Sequence, residues 1–343
     1  MKTHTVTPGE HPFAEFIRTL GRGQKGARPL TQTQAQEAMR MILAGEVTPE
    51  QLGAFLMLMR VKEETAEELA GFTLAARASL QAQFPGKHVD VDWPSYAGKR
   101  RHLPWFLLAA WLLAQHGVRV LMHGSCGPSR ERLYTIDAVR ALGLPEASTP
   151  EAAAQSLTRY HFVYLALENF SPTLQRLLDL RAVLGLRSPV HTLVRMLNPW
   201  QAPYSVHGIF HPNYRPIHQA AAQMIGQPYL AVWKGEGGEA ERNPCGVCLV
   251  QSVRQGELFD EEWPPLLSQR HPAEASLQPE KLRELWRGTW QDTYAAASVI
   301  GTLAITLRLL GHAQDPASAE ALAREWWLTR DTSSLELLQT AHR

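Results

Sequence analysis

The sequence predicts an α/β protein with a small N-terminal α-helical domain and a larger α/β domain built on a mostly parallel central sheet. Three observations carry this. Separately capped amphipathic helical patterns fill the chain before residue 83, and strand-like and helix-like segments alternate after residue 88. The length of 343 residues suits two domains, or one large α/β unit with an appendage. The expected division is 1–83 for the helical domain, joined in space by helices near 165–185, and 84–343 for the α/β domain.

In the helical part, Ala35, Ala38, Met39, Ile42 and Leu43 recur at helical spacing. Gly45 follows, where a left-handed residue is wanted to leave the helix. Thr48 stands as an N-cap, Pro49 takes the first helical position and Gln51 closes a capping box, opening a helix over 51–60. Thr65 and Glu68 form a second box for a helix to about residue 82, and Phe84-Pro85-Gly86 marks the boundary. Beyond it, 89–93, 118–122, 162–165, 205–210 and 229–233 read as strands. The segments 103–116, 137–142, 171–184 and 213–225 read as helices, and further helices near 279–289, 291–310 and 317–328 close the chain. Strands separated by helices argue for a parallel sheet covered on both faces.

Composition excludes several classes. Hydrophobic residues at 45% and charged residues at 20% exclude a disordered chain. The apolar run 105–114 is about half the roughly 20 residues that a spanning helix needs, and no apolar stretch follows the N-terminal Lys2. A cytoplasmic protein with no membrane partner is expected. Three cysteines do not suggest a disulfide framework. Cys245 and Cys248 form a C-x-x-C without a second ligand pair for zinc, and strand-like residues follow instead of the helix a redox pair wants. They read as buried small hydrophobes.

The formal net charge of +1 excludes a uniformly basic nucleic-acid protein, but the charge is unevenly spread. Residues 1–30 carry +3 and 99–195 carry +6, while 31–98 and 196–343 carry −4 each. The basic residues gather in a glycine-rich stretch, 20–28, and in a segment from Lys99 through Arg132. Clustered cations on loops point to an anion site.

The run 44–60 (AGEVTPEQLGAFLMLMR) and its continuation 61–71 (VKEETAEELAG) closely resemble the helical domain of glycosyltransferase family 3, the anthranilate phosphoribosyltransferase and nucleoside phosphorylase family. The likeness continues in order through 117–124, 141–143, 186–187, 197–199 and 206–212, to about residue 310. It implies an active site in the cleft between the domains and a homodimer formed through the helical domain. Family enzymes hold 5-phosphoribosyl-1-pyrophosphate on a Gly-Thr-Gly-Gly-Asp loop, whose backbone N–H groups can crowd a phosphate because glycine has no Cβ. The matching residues here are Ser95, Tyr96, Ala97, Gly98 and Lys99. An adjacent Asp-Glu pair helps hold Mg²⁺ in the family; here Glu239 is the remaining candidate, beside Ala240. The family's Asn after His-Gly becomes Ser125, after His123 and Gly124, and the next loop gains Arg130 and Arg132.

The resemblance therefore implies a degenerate donor and acceptor site: Ser95, Tyr96, Gly98, Lys99, His123, Gly124, Ser125 and Arg187. Ordinary anthranilate phosphoribosyltransferase activity is not expected. No cofactor is assigned, and Mg²⁺ enters only if phosphoribosyl transfer is retained. His123 reads as a structural histidine near the cleft. The basic replacements are similar to the branch of the family described as nucleic-acid binders. The residues expected to contact single- or double-stranded nucleic acid are Arg22, Lys25, Arg28, Lys99, Arg100, Arg101, Arg130 and Arg132. Such contacts neutralise phosphates without reading bases. Arg187 and Arg195 fall near the family's acceptor-site arginine, for either an acidic small molecule or phosphate. Tyr96 and Tyr134 are candidate stacking residues, with Trp93 and Trp105 read as core. Two alternatives stand beside this: a phosphoribosyl or glycosyl transferase with another acceptor, and a scaffold presenting exposed Trp326 and Trp327.

Overall fold

The computed structural model describes residues 9–341 apart from 24, 87, 128, 130, 270 and 275. Four helices come first: α1 (Ala14–Gly21), α2 (Gln32–Leu43), α3 (Pro49–Lys62) and α4 (Ala66–Leu80). Thr31, Thr48 and Thr65 cap the last three, each in a complete capping box. Each box satisfies N–H groups that a helix start otherwise leaves unpaired. Gly45 has φ +73°, as the end of α2 requires. Helix α1 was not expected from the pattern; Phe13, Phe16 and Leu20 anchor it in the core.

The α/β domain follows as β1 (Val91–Ser95), α5 (Phe106–Gln115), β2 (Val120–Gly124), α6 (Thr135–Leu142), β3 (Glu146–Ala147), α7 (Pro150–Tyr160) and β4 (Phe162–Ala166). The short helices α8 (Leu167–Phe170), α9 (Pro172–Asp179), α10 (Arg181–Leu184) and α11 (Val190–Leu193) come next. They lead to β5 (Tyr204–Ile209), α12 (Tyr214–Met224), β6 (Tyr229–Lys234), β7 (Cys248–Arg254) and β8 (Glu257–Trp263). Helices α13 (Glu280–Arg287), α14 (Thr293–Leu309), α15 (Pro316–Leu328) and α16 (Ser334–Ala341) complete the chain. The expected helix 171–184 is thus two helices, divided at Leu180.

The eight strands run in the order β3-β4-β2-β1-β5-β6-β7-β8. The pairs from β3 to β6 are parallel, and β7 and β8 are antiparallel. Strand β8 went unread because its sequence is charged and largely exposed; the ladder to β7 holds it. Side chains alternate along each strand. Val120, Met122, Phe162, Tyr164, Ala231 and Trp233 pack in one core, which also holds α5, α13 and α14. Leu121, Val163, Leu165, Leu230 and Val232 pack in the other, which joins residues of α1–α4, α9, α11 and α12. The apolar run at 105–114 is explained by α5, whose residues from Phe106 to Ala114 are all buried.

Several aromatic expectations resolve here. Trp93 and Trp105 are core residues, as read. Trp327 is buried rather than exposed, and Trp326 is half-buried and stacks on His116 with ring centroids 3.6 Å apart. The scaffold alternative loses Trp327 as a contact residue, and Trp326 is only partly available. Cys248 is buried at the start of β7, Cys245 is half-buried, and both are free. Among the described residues, no helix is long and apolar enough to cross a membrane.

Candidate functional site: a closed anion cradle beside a basic cleft

The chain crosses over between β1 and β5, so the loops leaving these strands diverge and open a crevice at their carboxyl ends. Register brings Ser95 at the end of β1 level with Gly124 at the end of β2. A Cβ on Gly124 would lie 2.0 Å from the Ser95 carbonyl oxygen, so only glycine lets these loops approach. Gly208, near the end of β5, plays the same part for a different loop. A Cβ there would lie 2.0 Å from the Glu239 carbonyl carbon.

That approach delivers Glu239 into the loop at 95–99. Its carboxylate accepts from the backbone N–H groups of Ala97 (2.7 Å) and Gly98 (2.6 Å) and from the Ser95 hydroxyl (2.8 Å). The two N–H groups converge on one Glu239 oxygen, and Gly98 itself takes φ +68°, a left-handed conformation that glycine adopts without strain. The loop therefore builds an N–H cradle, and this chain's own carboxylate, 1% exposed, fills it. Both Glu239 oxygens are engaged and the neighbouring side chain is Ala240, so the residues present do not form a Mg²⁺ site. Among the described residues, no group of three or more His, Cys, Asp or Glu side chains could hold a metal ion.

Lys99 departs from its expected role. It is 0% exposed, its ammonium 2.5 Å from Glu241 and also paired with Glu236. Burial works against its charge, but Glu241 and Glu236 outweigh that and raise its pKa. Burial in turn pushes Glu241 up to about 7, against the pull of Lys99. A buried, doubly paired ammonium cannot reach a phosphate in solution. Arg132 is also structural: its guanidinium donates to the carbonyls of Ala97 (3.1 Å) and Gly98 (3.0 Å) and fastens the cradle loop. Arg100 is exposed beside Glu131 at 2.9 Å, a pairing that solvent screens. Arg101 is exposed, as are Arg22, Lys25 and Arg28 after α1. Arg22 and Arg28 flank a small surface pocket with Arg18. Arg130 lies outside the described residues.

The remaining expected residues meet at two neighbouring cavities. One, of about 310 Å³, is lined by Tyr96, Ser125, Tyr134, Arg181, Arg187 and His191, among others. The second, of about 120 Å³, lies against α3 and is lined by Arg60, Glu64, Arg187, His191, Arg195 and Phe210, with His211, Tyr214 and His218. Arg187 and His191 face both. Partial desolvation, with Arg195, Arg181 and Arg132 nearby, pulls Arg187 down to about 10. Burial, with Arg187 and Arg195 alongside, holds His191 at about 3, so it is neutral at neutral pH. His123 is buried between Asp92 (3.1 Å) and the Tyr96 hydroxyl (2.7 Å), a structural link beneath the cleft. Arg60, Glu64, Arg181, His191, Phe210 and His218 were not singled out in the sequence. Residues 181, 187, 191 and 195 fall four to six apart along α10, the loop after it, α11 and the turn that follows, and that spacing was the available signal.

This arrangement, a helical bundle against a mostly parallel sheet with a basic cleft at the strand ends, defines a phosphoribosyltransferase-type fold. The chain belongs to glycosyl transferase family 3: the family's helical bundle domain matches residues 14–80 and its α/β domain matches 106–328. An anthranilate phosphoribosyltransferase of Desulfitobacterium hafniense (strain Y51) is 30% identical over 245 residues, 71% of each chain. An uncharacterized protein of Aquifex aeolicus (strain VF5) is 30% identical over 238 residues, 68% of this chain and 72% of that one. The anthranilate phosphoribosyltransferase (TrpD) of Thermus thermophilus superposes with a TM-score of 0.77 at 24% identity, covering 94% of this chain and 96% of that one.

Proposed function

We propose that this family member has given up the phosphoribosyl donor site and binds nucleic acid through its basic cleft and loops, without sequence preference and as a homodimer formed through the helical domain. The observation that carries the reading is the uncompensated positive charge. Arg22, Lys25, Arg28, Arg101, Arg181 and Arg187 form no ion pair among the described residues, and Arg187 is depressed by partial burial and, after that, by its cationic neighbours. Uncompensated arginines at a cleft are suited to phosphate oxygens. The Glu239 carboxylate supports loss of the donor site, because a pyrophosphate would have to displace it and meet its charge.

Fluorescence anisotropy with a labelled oligonucleotide tests the reading. Affinity is expected to fall steeply between roughly 50 and 200 mM salt. Changing Arg22, Lys25 and Arg28 together to Ala is expected to lower the log–log salt slope by about 2–3 on duplex. No salt-dependent binding at low ionic strength would refute it. Calorimetry with 5-phosphoribosyl-1-pyrophosphate and Mg²⁺ is expected to give no saturable heat; a saturable heat favours the transferase alternative. Light scattering is expected to give the mass of a dimer.

A further inference from the structure

The cavity against α3 holds two hydrogen-bond acceptors that this chain leaves unused. One is Oε1 of Glu64, which is buried and has no partner. The other follows from the direction of a hydrogen-bond chain under the cleft. The carboxylate of Asp92 only accepts, so Nε2 of His123 donates to Oδ1 (3.1 Å) and the Ser205 hydroxyl donates to Oδ2 (3.0 Å). Having spent its one proton, Ser205 accepts from Nε2 of His207 at 2.9 Å. Nδ1 of His207 is then a lone pair and accepts from Nδ1 of His218 at 3.1 Å. His218 is thereby fixed with its proton on Nδ1, and Nε2 is left as an acceptor with no partner among the described residues. Its ring is 1% exposed and lines the cavity. Burial, with Arg195 nearby, keeps His218 at about 3, so the ring is neutral as this assignment needs.

Around the two acceptors stand Arg60, Arg187 and the ring of Phe210, which is 54% exposed. The complementary ligand is flat, presents N–H donors at its edge and carries an anion. An unpaired nucleotide has all three properties. In a duplex the same N–H donors are already bonded to the partner base, and the ring faces are stacked.

We propose that this cavity receives an unpaired nucleobase, its edge toward Glu64 and His218, its face on Phe210 and its phosphate at Arg187, so that the protein prefers single strands to duplex. The proposal rests on the nucleic-acid reading above and specifies its substrate.

The test measures anisotropy with one labelled oligonucleotide in three forms: the single strand, its duplex, and the strand with its central bases replaced by abasic sites. The intact single strand is expected to bind about tenfold more tightly than the other two. Phe210→Ala is expected to bring that ratio close to unity. The residue is exposed, so the substitution leaves the core intact, and circular dichroism verifies the fold. Equal affinity of the wild type for all three probes overturns the proposal and leaves phosphate binding standing. An unchanged preference in Phe210→Ala also overturns it. Absence of salt-dependent binding to every probe removes the nucleic-acid reading itself, and the proposal with it.

Discussion

Replacing Glu239 by Ala separates a cradle that is still built from one that has been lost. The substitution removes the acceptor of the N–H groups of Ala97 and Gly98. Ser95 keeps a partner, because its hydroxyl lies 2.6 Å from that of Thr135. Each buried N–H left unsatisfied costs about 1–3 kcal/mol, so the pair costs about 4 kcal/mol. The entropy of unfolding is about 2.1 cal/mol/K per residue, or about 0.7 kcal/mol/K for 343 residues. The expected fall in Tm is therefore about 6 °C. Two N–H groups converging on one point also form an anion site once the carboxylate is gone. Phosphate at about ten times its Kd then returns about 1.4 kcal/mol, or about 2 °C, to the variant. The wild type, with Glu239 in place, shows no such gain. Scanning calorimetry in phosphate-free buffer, then with added phosphate, reads both effects. An unaltered Tm in Glu239→Ala, or the same phosphate response in both proteins, refutes the reasoning.

Three further outcomes are expected. Lys99→Met leaves the buried carboxylate of Glu241, and the half-buried one of Glu236, without a counter-charge, a loss of about 3–5 kcal/mol by urea denaturation, with oligonucleotide affinity unaltered; a weakened affinity in the folded variant contradicts the structural role given to Lys99. Burial holds His102 at about 4 and both His191 and His218 at about 3, below their ordinary value. Between about pH 6.5 and 4 the unfolded chain binds protons that the folded chain does not, so the stability present above pH 6.5 is lost as pH falls, by up to about 1.4 kcal/mol per unit per histidine. Urea midpoints that stay level from pH 7 to 5 rule this out. Gly208→Ala places a Cβ 2.0 Å from the Glu239 backbone, costs about 3 kcal/mol and frees the cradle. It should therefore gain a phosphate response like that of Glu239→Ala in the same calorimetry.

Much of the fold was legible because its signals are local. A capping box lies within four residues, and Thr48 with Gln51 declares α3 without any distant partner. The short continuous apolar run at 162–165 announced β4 for the same reason. Polar β8 was missed because pairing to β7, not its own pattern, makes it a strand. The candidate site was legible in part. The loop at 95–99 was located by resemblance, and Arg187 was placed near the cleft it does line. Glu239 was read as a weak metal candidate, because nothing local reveals the donors waiting for it.

The sequence by itself determined the two-part α/β architecture, the capped starts of α2, α3 and α4, and the family. Tertiary structure alone decided what the charges do. Lys99 and Arg101 stand two positions apart in one basic run, yet one is sealed against Glu236 and Glu241 while the other meets solvent. The partners of Lys99 lie more than 100 residues away, and only the strand order brings the loops after β1 and β6 together. Whether a cation is spent inside the fold or left for a ligand depends on that proximity, which neither composition nor periodicity records.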